Sequence, residues 1–206
     1  MTITPRPYNL PDAALFEEMA LTNRFLIWRP QQTAVVLGSS NKVEDAIHIL
    51  AVKKAGLPVY RRPSGGQAVI LSVNTLVISL VERRRRWEPV DQLFRAYNRI
   101  VIRVLDSLKV RGIQEAGFSD ITINGKKICG SAMYQNREQI VFHAVLNVKE
   151  SSDLIEKYLK YPERQPDYRS GRSHSDFVTS LFEQGFFIDF PVIENAFGRQ
   201  LRADFS

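Results

Sequence analysis

Cysteine is nearly missing from this chain: a single residue, Cys129, stands among 206. A lone cysteine cannot close an internal disulfide, so a reducing, cytoplasmic setting is expected. Long apolar runs are missing too. The longest, Ala68 to Val81, is broken by Ser72, Asn74, Thr75 and Ser79, which leaves it too short and too polar to span a bilayer. The N-terminus, Met1 to Pro7, has no apolar signal core. No repeat, low-complexity tract or Gly/Ser linker divides the chain. With 44% hydrophobic and 24% charged residues, it has globular composition. A single domain over residues 1–206 is expected, long enough to bury a core.

Charge is present in excess of one sign. The formal net charge is +6, which suits anionic cofactors or acidic protein partners. The densest run, Arg83 to Arg86 followed by Trp87, lacks both interleaved aromatics and a groove-reading helix pattern. It reads as a solvated loop that steers an acidic partner, with no nucleic acid and no membrane expected.

Periodicity predicts helices over 12–23 (Leu15, Phe16 and Met19 on one face), Val43–Ala55, 90–109, Ser152–Tyr161, Ser173–Glu183 and Val192–Gln200. Strands are expected at Arg24–Trp28, Thr33–Leu37, Val59–Arg62, Ala68–Leu71 and Thr75–Val81. Asn124-Gly125 marks a tight type I′ hairpin, and a second hairpin joins Ile128–Tyr134 to Gln139–Val148. The predicted fold class is α+β: a mixed, largely antiparallel sheet flanked by helices.

Two segments carry chemistry. In Arg61-Arg62-Pro63-Ser64-Gly65-Gly66-Gln67-Ala68-Val69, paired glycines and cations sit between two strands. Paired glycines let a backbone approach a ligand, and arginine supplies planar donors for carboxylate or phosphate. The bland alternative is a hairpin turn with exposed arginines. In the second segment Lys127 opens an apolar strand just past the Asn-Gly turn, followed by Cys129, Gly130, Ser131 and Ala132. Strand alternation would place Lys127 and Cys129 on one face, where the cation would lower the thiol pKa. Packing is the alternative for Cys129, and surface exposure the alternative for Lys127. Asp120 is suited to Mg²⁺, to a substrate amine or to opening the turn. His143 orients a substrate or bonds within the sheet. No cluster of metal ligands stands out.

Taken in order, several pieces resemble one family. They are Gly38-Ser39-Ser40-Asn41, the Arg-Arg-x-Ser-Gly-Gly turn, Ser119-Asp120, and Gly125-Lys126-Lys127-Ile128-Cys129-Gly130-Ser131-Ala132. The strand holding His143 and the stretch Pro166-Asp167-Tyr168-Arg169-Ser170-Gly171-Arg172-Ser173-His174 follow. Over about residues 24–180 the chain resembles the catalytic domain of the lipoate–protein ligase A family, in the biotin/lipoate protein ligase and octanoyltransferase superfamily. The resemblance implies acylation of one lysine on a lipoyl domain, as in the glycine-cleavage H protein or an E2 subunit of a 2-oxo-acid dehydrogenase. It implies ATP and Mg²⁺ as cofactors of a ligase, with lipoate or octanoate as substrate. Lys127 would contact the acyl carbonyl and phosphate. Arg61, Ser64, Gly65 and Gly66 would cover the acyl-adenylate, and Val69, Ala132 and Val145 would line the acyl channel. Gln67, Ala68, Asp120, Gly130, Ser131 and His143 complete the implied binding set.

The chain departs from that pattern in three places. Gln67 stands where ligases carry a third glycine, and Leu71-Ser72 where they carry His-Asp. No separate C-terminal accessory domain is expected, which implies a partner subunit, an acyl carrier protein as donor, or a complete transferase. The expected function is a ligase working through an acyl-adenylate; the alternatives are an octanoyl or lipoyl transferase working through a Cys129 thioester, and a non-catalytic acyl-binding module.

Overall fold

The computed structural model describes residues 2–17, 22–84, 86–162 and 164–205. Among the described residues ten strands form two sheets. The larger contains β2 (Arg24–Trp28), β6 (Thr75–Arg83), β7 (Ile113–Ala116), β8 (Asp120–Ile123), β9 (Lys126–Gln135) and β10 (Gln139–Asn147), in the order β2-β6-β10-β9-β8-β7. All its pairings are antiparallel. The smaller contains β1 (Arg6–Pro7), β3 (Ala34–Leu37), β4 (Val59–Arg61) and β5 (Val69–Leu71), in the order β1-β4-β3-β5. Here β4 runs parallel to both β1 and β3, while β5 is antiparallel to β3. The class is α+β, as expected. The difference is that the strands divide between two sheets rather than joining in one: the chain leaves the larger ladder over residues 29–33, after β2, and returns to it over 72–74, before β6.

Side-chain alternation builds the layers. On β6, Leu76, Ile78 and Leu80 face a core shared with α4 (Val90–Ser107) and α7 (Phe190–Phe205), while Val77 faces the smaller sheet. On β3, Ala34 and Val36 face the larger sheet, whereas Val35 and Leu37 face α3 (Ile49–Lys54) and α5 (Ser152–Tyr158). Both faces of β3 and β6 are therefore apolar, the pattern of strands covered on both sides. Along α4, Leu93, Tyr97, Ile100, Val101, Val104 and Leu105 form one buried stripe at helical spacing.

Several boundaries differ from expectation. The first helix is α1 (Ala14–Glu17) within the described residues, and Met19 lies outside them. The expected helix over 43–55 is split into α2 (Val43–Ala46) and α3, because Ile47 pairs with Leu159 in a β-bridge. The expected Ser173–Glu183 helix is α6 (His174–Phe177) alone. Ser173 does accept the Asp176 amide as its N-cap. After one turn the chain leaves the helix to pair with β9, Val178 bridging Lys127 and the Thr179 amide donating to the Lys127 carbonyl. The final helix is longer than expected, covering Phe190–Phe205. Among the described residues no helix is long and apolar enough to cross a membrane.

Candidate active site

Between the sheets lies a cavity of about 590 Å³, bordered by β5, by β8–β10, by the 40–46 segment and by the chain from α5 to α6. Sites that enclose small ligands usually run from about 300 to 1,000 Å³. Val69, Ile70, Val145 and Ile155 give it an apolar stretch, and Lys127 and Asp120 stand on its wall.

Lys127 is placed by a β-bulge. On β8, Ile121 pairs with Cys129 and Thr122 pairs with Lys127, so Ile128 is the extra residue on β9. The bulge breaks the alternation that the sequence implied. Cys129 and Ile128 both turn into the α4/α7 core, and Lys127 turns to the cavity with Asp120 and Gly130. Lys127 and Cys129 therefore do not share a face. The Cys129 thiol is buried, and burial pushes its pKa up to about 12, with only partial relief from the nearby Lys127 charge. At neutral pH it is a protonated packing group.

The Lys127 ammonium lies 2.7 Å from Asp120 Oδ1. The other carboxylate oxygen accepts the Tyr168 hydroxyl at 2.7 Å. Asp120 is buried and Lys127 keeps partial exposure to the cavity. Gly130 provides the room: a Cβ there would stand 2.6 Å from both Cε and Nζ of Lys127.

The glycine turn is braced from within. Arg62, buried, donates from Nε to Ser64 Oγ at 3.0 Å, from Nη2 to the Gly65 and Gln67 carbonyls at 2.7 and 2.9 Å, and from Nη1 to the Val36 carbonyl at 3.2 Å. Arg61 points the other way and donates from Nη1 to the carbonyls of Gly38, Ser39 and Asn41. The two loops meet at Gly38, where an added Cβ would fall 2.1 Å from the Gly66 carbonyl oxygen. Gly66 itself has φ +89°, a conformation that glycine adopts without strain. Gln67 then reaches across the cavity mouth, its Nε2 donating to the Arg164 carbonyl at 3.2 Å.

Of the residues singled out from sequence, Gly66, Gln67, Ala68, Val69, Asp120, Lys127, Cys129 and Gly130 border the cavity. Arg61, Ser64, Gly65, Ser131, Ala132 and His143 do not. Ser131 faces α4, donating to the Ser119 carbonyl at 2.8 Å and to Asn98 Oδ1 at 3.2 Å. Ala132 lies beneath the turn, 3.8 Å from where a Gly66 Cβ would stand. Ser64 and His143 are buried partners, Ser64 Oγ lying 2.6 Å from His143 Nε2. The other ring nitrogen lies 3.7 Å from Asp12, which accepts Ser79 and Tyr8 hydroxyls at 2.6 and 2.7 Å. With Arg62 donating to Ser64, the serine hydroxyl donates to Nε2, and the remaining imidazole proton faces Asp12.

This buried network predicts a pH effect. Burial holds the His143 pKa below its ordinary value of 6.5, against the opposing pull of Asp12. Burial alone would raise the Asp12 carboxyl, but His143, Ser79 and Tyr8 hold it below 3.8. Between these values only the histidine contributes from this network. As pH falls through 6.5 the unfolded chain takes a proton that the folded His143 refuses, so stability drops toward the acid side. His174 shifts in the same direction and adds to the slope. A melting temperature followed from pH 7.5 to about pH 5 is expected to fall more steeply in the wild type than in His143→Gln. Parallel curves would sink this assignment.

Comparison with known proteins decides the family. The model of the lipoyl protein ligase A/B catalytic domain matches residues 11–202. The chain belongs to this family. It is 25% identical over 162 residues to the lipoate-protein ligase LplJ of Bacillus subtilis, covering 78% of this chain and 47% of that protein. It is also 25% identical over 188 residues to the octanoyltransferase LipM of Anoxybacillus flavithermus, covering 79% and 66% respectively. The chain thus spans about half the length of the curated ligases it matches first. The fold superposes on the bi-partite lipoate protein ligase of Thermoplasma acidophilum with a TM-score of 0.80 at 22% identity, covering 93% of this chain and 75% of that one. A lipoate-protein ligase A solved with bound ATP gives 0.78 at 21% identity, covering 98% and 83%.

Sequence reasoning passed over Arg62, Asp12, Tyr168 and Arg169 as individual site residues. The Arg-Arg pair and the Tyr168-Arg169 stretch were visible as motifs. Which arginine turns inward depends on β4 lying beside β3, which spacing does not reveal.

Proposed function

We propose that this protein attaches a lipoyl or octanoyl group to a lysine of lipoyl domains, working as a lipoate–protein ligase through an acyl-adenylate. One observation carries the reading: the Lys127 ammonium, fixed 2.7 Å from Asp120 on the wall of a cavity with an apolar stretch. An ammonium has three donors. With one committed to Asp120, two remain for the acyl carbonyl and the phosphate beside it. The acyl carboxylate attacks the α-phosphate of ATP, releasing pyrophosphate. The lipoyl-domain amine then attacks the acyl carbonyl, releasing AMP, and Lys127 stabilises the negative charge that builds on the oxygens in both steps.

Mg²⁺ would travel with the nucleotide. Asp120 already holds the Lys127 ammonium and the Tyr168 hydroxyl, one on each oxygen, so it serves first to position Lys127. The acceptors fitting this reading are the H protein and E2 lipoyl domains. The Thermoplasma system of a bi-partite ligase and its E2 lipoyl domain supports a separate accessory subunit. A single buried cysteine suits the cytoplasm.

A transferase drawing octanoate from acyl carrier protein is the second reading, favoured by the match to LipM and by Leu71-Ser72. Burial of Cys129 argues against a thioester at that residue. Intact mass spectrometry of a purified lipoyl domain separates the readings. Incubation with lipoate, ATP and Mg²⁺ is expected to add a lipoyl mass, and octanoyl-acyl carrier protein without ATP is expected to add nothing. A gain only in the second tube makes the protein a transferase. Silence in both, with an accessory subunit supplied, leaves a binding module. Cys129→Ala is expected to modify the domain within about twofold of the wild-type rate, and a loss of about a hundredfold would restore the thioester.

A further inference from the structure

Arg169 ends a 3₁₀ turn, Asp167–Arg169, and borders the cavity although it is only 3% exposed. Its guanidinium is clamped between two rings, with Cζ 4.5 Å from the Tyr161 centroid and 4.7 Å from that of Phe177. Nε donates to the Arg172 carbonyl at 2.9 Å. Nη2 is buried and has no hydrogen-bond partner among the described residues. A buried cationic N–H without an acceptor is costly, and a fold keeps one where a ligand supplies the missing oxygen.

The surroundings say what kind of oxygen. Lys42, Lys127, Lys160 and Arg164 border the same cavity, with Asp45, Asp120 and Glu150 as its carboxylates. Two of its carboxylates are already engaged: Asp120 by Lys127 and Tyr168, and Glu150 by Ser72, Asn74 and the Ser151 amide. An acyl tail is neutral and uses none of this charge. A free fatty carboxylate brings one negative charge, which Lys127 alone can meet. A planar arginine fork held rigid by two rings matches a phosphate. Tyr168, the preceding residue, touches Asp120 and so ties this subsite to the reacting centre.

We propose that Arg169 is an anion anchor of the cavity, its unpartnered Nη2 taking a phosphate oxygen of the activated acyl donor. This rests on the acyl-transfer reading above and adds a residue and a ligand chemistry to it. The phosphate comes from one of two sources, the nucleotide of an acyl-adenylate or the phosphopantetheine arm of an acyl carrier.

Isothermal titration calorimetry with the purified full chain tests it. The ligand pairs are AMP against adenosine, and octanoyl-4′-phosphopantetheine against octanoyl-pantetheine, with octanoate as the control. In the wild type, the phosphorylated member of at least one pair binds more tightly than its phosphate-free counterpart. Arg169→Gln erases that advantage, a loss of about tenfold to a hundredfold, while octanoate affinity stays put. Arg169→Lys keeps the charge without the fork and falls between. An effect on AMP identifies the nucleotide, and an effect on the pantetheine pair identifies the carrier. The proposal is overturned if the wild type gains nothing from phosphate in either pair, if Arg169→Gln keeps the gain, or if octanoate affinity falls in step. The wild-type comparison stands even where Arg169→Gln fails to fold. These are binding readouts, so phosphate held by Arg169 in a chain that leaves lipoyl domains unmodified would sink the proposed function and spare the subsite.

Discussion

Lys127→Ala is expected to slow acylation of a lipoyl domain by about 10²- to 10³-fold, the usual loss when one preorganised donor to a developing oxyanion is removed. The fold should survive, because Lys127 is partly exposed and its main contact is one ion pair with Asp120. That deletion strands a buried carboxylate, which still keeps the Tyr168 hydroxyl. Gly130→Ala tests position separately from charge. The added methyl would stand 2.6 Å from Lys127 Cε and Nζ, so the side chain must leave its seat while the ammonium remains in the protein. If placement is what matters, Gly130→Ala loses most of what Lys127→Ala loses. If bulk positive charge suffices, it stays close to wild type. Single-turnover mass spectrometry with a melting curve for each variant reads both. An unimpaired Lys127→Ala would remove the lysine from the mechanism.

The layers were legible where burial is periodic. The α4 stripe and the Asn124-Gly125 hairpin both appear in the structure, with φ +51° and +73° at the turn as a type I′ geometry requires. Three things stayed hidden, each set by contacts distant in sequence. The bulge at Ile128 turns Cys129 into the core, and no local signal announces an extra residue in an apolar strand. The Ser173 helix stops after Phe177 because β9 offers a strand partner, which outweighs local helix propensity. Ser64 and His143 lie in sequence among residues that border the cavity, yet their partners are each other, Arg62 and Asp12, in the layer between the sheets. A motif marks residues that must stay; it does not say which touch a ligand and which hold those that do.

Arg62 is the strongest instance, and its removal carries the largest stability effect. Its guanidinium is the shared partner of the Ser64 hydroxyl and the Val36, Gly65 and Gln67 carbonyls. Burial lowers its pKa to about 10, which still leaves it charged at neutral pH. Taking it away leaves several buried acceptors unpaired at about 1–3 kcal/mol each, so about 3–5 kcal/mol is expected for Arg62→Ala once the loop relaxes. For a chain of this length that is a drop in melting temperature of about 10 °C. Arg62→Lys should recover little, since a point charge cannot serve acceptors spread around a planar fork. Arg61→Ala is the contrast: its side chain is less buried and holds carbonyls of the Gly38–Asn41 loop that water can reach, so about 1 kcal/mol is expected. Thermal denaturation of the three variants ranks them. Equal losses at the two arginines, or a lysine at 62 that melts like the wild type, would mean that the glycine turn holds its shape without the buried guanidinium.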